Sequence, residues 1–304
     1  MPTDARHERD RTAGAAVFYV PEDSFDRGLP DVPLHLFEAE QRQVLRATCP
    51  SGLVALDLSP LLKTAYPATT PMMLARYVVI HAGDQVAHRF AATGEVYHVL
   101  RGQGRTVASD AGLSMTWSAG DTFVLPGADE VRHRAVTDSL LVCVTNEPEL
   151  AYAGVRPPDA ARNPVVRGAH FDGQIADGKL GLVHQRTGPQ KTAGKSVIFA
   201  NAAMGAMRTI LPSMTAAINT LEPGGDQRPH RHNAVALTVA LQCEGVYSEV
   251  AGRRLDWIPF GVMVTPPQAV HSHHNRGARM MKSFVVQDGA LYYQLRNPGF
   301  AWTA

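Results

Sequence analysis

The chain is written twice in one grammar, and this internal repeat constrains its fold more than any other feature. Residues 72–147 and 213–287 of the 304-residue sequence run through the same order of signals. In the first half a strand-like run, MMLARYVVI (72–80), leads through HAGDQVAHRF to EVYHVLRGQG (95–104). In the second, TAAINTLEPGGDQRPHRH (215–232) is followed by TVALQCEG (238–245). Later, WSAGDTFVLP (117–126) matches WIPFGVMVTP (257–266), with each Trp nine residues before its Pro. The DAG of 110–112 and the AGR of 251–253 read as hairpin turns, where Gly supplies backbone angles that other residues resist. Short β-rich runs punctuated by Gly and Pro indicate an all-β sandwich or barrel, not alternating βαβ units.

The second half also carries three histidines in a telling arrangement. In PHRH (229–232) His230 and His232 alternate with Arg231, and on an extended chain that spacing projects both imidazoles to one face. The segment VMVTPPQAVHSHHN (262–275) reads as a strand closed by Pro266–Pro267, with His271 just beyond. Three neutral imidazoles on one face of a small barrel suit a borderline first-row divalent metal and leave coordination positions open. Each of them alone would read as a surface or hydrogen-bonded histidine; the convergent trio points to a metal.

Two such units in tandem resemble the bicupin architecture, two small jelly-roll barrels in one chain, over about residues 72–147 and 200–287. Within bicupins, PHRHNAVAL and VTPPQAVHSHHN look most like the ring-cleaving dioxygenases that act on gentisate, salicylate and 1-hydroxy-2-naphthoate. The resemblance implies an Fe(II)-dependent, extradiol-type dioxygenase, with one iron per chain held by His230, His232 and His271. Its substrates would be dioxygen and an aromatic carboxylate bearing an adjacent hydroxyl or amino group. The metal of that family usually sits in the N-terminal barrel, whereas the intact histidine set here lies in the C-terminal one.

The two halves keep different parts of the cupin pattern. The first retains His88, Glu95 and His133, but Phe90 takes the second position of its HxF, and His133 lies seven residues after Pro126 where His271 lies five after Pro266. A filled, degenerate barrel is the expectation there. His98 is out of phase with Glu95 and Tyr97 and should face away from the interior. In the second half Thr238 lies seven residues before Gly245, as Glu95 does before Gly102, so Thr238 is expected where cupins carry a glutamate ligand. Without that carboxylate the metal keeps its full charge and a position for a bidentate anion such as an ortho-hydroxycarboxylate. Strict alternation then places Gln242 inward as a catalytic candidate. His273 matches the second histidine of the family's HxH and is a candidate to bond a substrate oxygen or move a proton. Arg208 and Arg228 are candidates to pair with a carboxylate; Arg231 alternates away. Met204, Met207 and Met214 read as wall-filling residues.

Composition bounds the rest. A hydrophobic share of 45% over 304 residues fits one large or two medium domains. The expected division is an N-terminal arm (1–60) with a short helix within 35–46, a first barrel (61–150), a connector with a few strands (151–200) and a metal-bearing barrel (201–304). Net charge is +1 without a Lys/Arg run, so nothing suggests nucleic acid or an anionic membrane. No stretch approaches the roughly 20 apolar residues of a membrane span, and the charged start lacks the apolar core of a signal peptide. Three widely spaced cysteines fit reduced thiols in a cytoplasmic protein, expected as a homo-oligomer (dimer or tetramer). Two other functions fit the same ligands: a non-redox metal-dependent cupin acting on a small organic acid, and a non-enzymatic metal- or small-molecule-binding cupin.

Overall fold

The computed structural model describes residues 14–21, 28–186, 194–297 and 299–303. The chain divides into Met1–Pro30 and Asp31–Ala304, and all strands named below lie in the second unit. The architecture is all-β, as the punctuated repeat implies. Two pairs of facing sheets follow one another along the chain. The first pair is a six-stranded sheet built around Gly94–Arg101 and Ser139–Thr145, and a four-stranded sheet containing Gln85–His88, Gln103–Ala108 and Val131–Ala135. The second is a six-stranded sheet built around Ala236–Gln242 and Met281–Gln287, and a five-stranded sheet containing His230–His232, Val246–Val250 and His271–Asn275.

The two six-stranded sheets share one apolar core. Tyr77, Val96, Leu140 and Val142 of the first join Ile218, Leu237, Val264 and Phe284 of the second. At that seam the Tyr77 hydroxyl donates to the Phe260 carbonyl at 2.6 Å, and His98 stacks on Phe284 with ring centroids 4.7 Å apart. His98 thus faces away from its own sandwich, as its phase predicts, and its burial is the packing between the two halves. Fully burying a side chain of the size of Phe284 stabilises by roughly 1.5–3 kcal/mol, so the seam is a substantial part of the fold.

Both hairpin turns form where glycine predicts them. Gly112 (φ 64°) links Gln103–Ala108 to Leu113–Ser118, and Gly252 (φ 75°) links Val246–Val250 to Arg253–Asp256. Two elements differ from expectation. The helix foreseen within 35–46 is Glu38–Val44 alone; His35–Leu36 is a strand pairing with Met263 and Val264 of the second half. The connector carries a 13-residue helix, Gly173–Gln185. Gly178 and Gly181 within it lower its intrinsic propensity, but Asp172 caps it by accepting from the Ile175 N–H at 3.0 Å, and Ala176 and Leu180 are buried. No helix among the described residues is long and apolar enough to cross a membrane.

Candidate metal centre

His230 and His271 are direct neighbours across an antiparallel ladder, and His232 lies two residues along the same strand. Their ring centroids lie 4.2–6.0 Å apart, and one donor atom from each falls within 4.8 Å of the others. Among the described residues this is the one cluster of three or more His, Cys, Asp or Glu side chains close enough to share an ion.

Backbone carbonyls orient all three rings alike. Nδ1 of His230 donates to the Arg228 carbonyl at 3.1 Å, that of His232 to Ala234 at 2.8 Å, and that of His271 to Ala269 at 2.8 Å. A carbonyl only accepts, so each Nδ1 carries the proton and each Nε2 presents a lone pair. Burial keeps the rings neutral, pushing His230 down to about 4 and His271 to about 2, and lowering His232. Three neutral imidazoles with fixed, converging Nε2 atoms fit a divalent first-row metal.

The ladders correct the alignment of the two halves. His88 stands opposite Val131, as His230 stands opposite His271, so Val131 and not His133 is the counterpart of the third ligand. Both lie five residues after their proline, Pro126 and Pro266. His133 instead matches His273: the first faces Thr106, the second the equivalent Ser248. The first half therefore has Phe90 and Val131 at the positions that His232 and His271 take in the second. An apolar cluster occupies the interior of the first half, with the Phe90 and His88 ring centroids 3.9 Å apart and His88 Nε2 bonded to His133 Nε2 at 3.1 Å.

Thr238 likewise is not the counterpart of Glu95. Glu95 faces Leu125, which immediately precedes Pro126; the residue facing Thr265, which immediately precedes Pro266, is Ala236. Thr238 corresponds to Tyr97. The glycine-based alignment fails because one residue separates the first pair of strands (Arg101 to Gln103), whereas three separate the second (Gln242 to Val246). The carboxylate is absent as foreseen, but its place is held by the methyl group of Ala236.

A cavity of about 230 Å³ opens over the trio, lined also by Ala236, Thr238 and His273. It adjoins a second space of about 480 Å³ bordered by Met207 and Arg208, the two sharing the walls Ser196, Asn219, Val285, Gln287 and Tyr293. Arg208 is exposed, and no carboxylate among the described residues pairs with it. Two other candidates fall outside. Gln242 follows a bulge between Ala240 and Gln242 that breaks the alternation, and it borders a separate space with His98 and Lys282. Arg228 points outward, its guanidinium 5.0 Å from the centre of the Trp302 ring. Met204 and Met214 pack against the core.

Several lining residues were not foreseen from the sequence. The Gln287 amide lies 3.3 Å from His232 Nε2 and reaches both spaces. Gln227 Oε1 and Thr265 Oγ1 are buried, have no hydrogen-bond partner among the described residues, and line the trio's cavity. Their one signal was proximity to PHRH and VTPP. Phe300 comes from a final strand, Phe300–Trp302, laid directly against His230–His232.

No family model matches the chain. A 5-nitrosalicylic acid 1,2-dioxygenase from Bradyrhizobium sp. is 30% identical over 87 residues, a match covering 29% of this chain and 42% of that protein. Salicylate 1,2-dioxygenase from Pseudoaminobacter salicylatoxidans, solved with gentisate, superposes with a TM-score of 0.77 at 12% identity, covering 100% of this chain and 96% of that one. A cupin 2 conserved barrel domain protein from Leptotrichia buccalis superposes at 0.51 and 12% identity, over 81% of this chain and 93% of its own. The chain shares the fold of salicylate 1,2-dioxygenase and of the cupin barrel protein.

Proposed function

We propose that the protein is an Fe(II)-dependent dioxygenase that opens the ring of an aromatic carboxylate bearing an adjacent hydroxyl or amino group. The observation that carries this reading is the pairing of three fixed Nε2 ligands with a methyl group, Ala236, at the fourth cupin position. His230, His232 and His271 would hold the iron, which when bound supplies the redox chemistry that lets dioxygen react with an aromatic ring. With no carboxylate from the protein, open positions remain for a chelating anion and for dioxygen.

The surrounding residues suit such a substrate. Ala236 and Thr238 leave room beside the trio, where a longer side chain would fill it. Gln287 offers an amide donor at the junction of the two spaces, and Arg208, which pairs with no carboxylate among the described residues, a guanidinium at the border of the larger one for an anionic group on an extended substrate. Holding the aromatic acid against the ligand face also excludes water from it. The salicylate enzymes named above support the same substrate class.

Oxygen uptake tests the proposal. Iron-loaded and zinc-loaded protein are each presented with salicylate, 5-nitrosalicylate, gentisate and 1-hydroxy-2-naphthoate. The expected result is uptake of one dioxygen per molecule of at least one acid, with loss of its aromatic absorbance, in the iron form alone. Iron-loaded protein that consumes no oxygen with any of them rejects the reading.

A further inference from the structure

His273 lines the same cavity as the three ligands, with its ring centroid 6.0 Å from that of His271, yet its polarity is opposite. Its Nδ1 meets no carbonyl among the described residues. It lies 2.8 Å from the Ser248 hydroxyl, which also accepts the indole N–H of Trp257 at 2.7 Å. Ser248 is fully buried, and among the described residues its oxygen has these two partners only. The indole can only donate, so one lone pair of the hydroxyl is taken. The hydroxyl proton then has a single acceptor within reach, the Nδ1 lone pair of His273. A neutral ring that accepts at Nδ1 carries its proton on Nε2, and that nitrogen has no partner among the described residues.

The first half contains the same arrangement of side chains. Trp117 Nε1 donates to Thr106 Oγ1 at 2.8 Å, and Thr106 Oγ1 lies 2.6 Å from His133 Nδ1. There the far nitrogen of His133 sits 3.1 Å from His88 Nε2, a contact between two ring nitrogens that bonds only if one of them carries a proton. A Trp–hydroxyl–His relay thus occurs twice. In the filled half it ends on a histidine; in the open half it ends in the cavity.

We propose that Trp257 and Ser248 are positioning residues that fix His273 as an Nε2–H donor into the cavity, so that it bonds an anionic oxygen of a bound ligand and does not serve as a fourth metal ligand. The proposal rests on reading the trio as a metal centre. It explains why four histidines share one cavity without being equivalent: three are oriented by carbonyls and present lone pairs, and one is oriented by a hydroxyl and presents a proton. A donor of this kind favours an oxyanion over a neutral ligand, because hydrogen bonds to charged groups are the stronger ones.

The test has two arms, neither of which depends on turnover. In the first, 15N-histidine NMR of the zinc-loaded protein reads the tautomer of each ring, with His273→Gln assigning the His273 signals. The expected pattern is a protonated Nε2 and a bare Nδ1 for His273, the reverse of the protonated Nδ1 of the three ligands. A protonated Nδ1 on His273 overturns the proposal, whatever the variants do. In the second arm, salicylate is titrated into the cobalt-loaded protein and followed through the cobalt absorption band. Ser248→Ala and Trp257→Phe should keep one cobalt per chain but weaken salicylate about tenfold or more. Ser248→Thr, which installs the hydroxyl found at position 106, should restore the affinity. Equal affinity in parent and Ser248→Ala overturns the donor role. A parent that binds no salicylate contradicts the donor role and the proposed substrate class together, whereas failed ring cleavage with normal salicylate binding contradicts the proposed function alone.

Discussion

Ala236 occupies in the second sandwich the position that Glu95 occupies in the first: each faces the residue that immediately precedes the proline closing the neighbouring strand. One half of the molecule keeps a cupin carboxylate without the ligands to use it. The other brings three histidines together and puts a methyl group where the carboxylate would be.

Restoring the carboxylate at its proper register should therefore be decisive. Ala236→Glu should retain or tighten metal binding, because it adds an anionic ligand beside three imidazoles. It should also weaken a bidentate acid by at least about tenfold, by lowering the charge at the site and filling a position. Salicylate titration of the cobalt form, alongside metal analysis, reads both effects. Parent-like salicylate affinity in the variant would mean that residue 236 does not border the open positions.

Arg208 should act on binding and not on the metal. Arg208→Gln is expected to raise KM for an aromatic carboxylate about tenfold, the scale of one charge-assisted hydrogen bond, with metal content unchanged. Steady-state kinetics on the best acid of the oxygen-uptake panel check this. An unchanged KM would place the carboxylate elsewhere in the cavity.

Glu95 gives a pH signature to the filled half. Burial pushes its carboxyl from 4.5 up to about 8, partly opposed by the Tyr97 hydrogen bond. A folded-state value above the unfolded one contributes stability that is full below about 4.5 and is lost as pH rises through about 8. Glu95→Gln cannot ionise, so it should gain stability relative to the parent progressively between those limits. Denaturant unfolding at pH 5 and pH 9 should show the larger relative gain at pH 9. A difference that does not change with pH would mean that Glu95 ionises as freely in the folded protein as in the unfolded chain.

Much of this was legible in the sequence, and the misreadings have physical causes. The tandem β units were visible because turns and strand ends depend on local chemistry: Gly112 and Gly252 where φ is positive, Pro126 and Pro266 where ladders close. The three histidines were visible because a period of two puts His230 and His232 on one face. Register was not, since a glycine marks a turn without fixing its length; hence Thr238 stood in for Ala236 and His133 for Val131. Gln242 was misplaced because a bulge leaves no local mark. Gln287 reaches the site from Met281–Gln287, a strand that only the folded sheet brings beside the trio.

Under the proposed function one metal binds in the second sandwich through His230, His232 and His271. Metal content per chain after loading with iron(II) under anaerobic conditions and desalting, compared across single alanine variants, tests it most directly. One iron is expected in the parent, in His88→Ala and in His133→Ala, and none in His230→Ala, His232→Ala or His271→Ala. Full occupancy in a His230→Ala/His232→Ala double variant, or loss of the metal with His88→Ala alone, would contradict it.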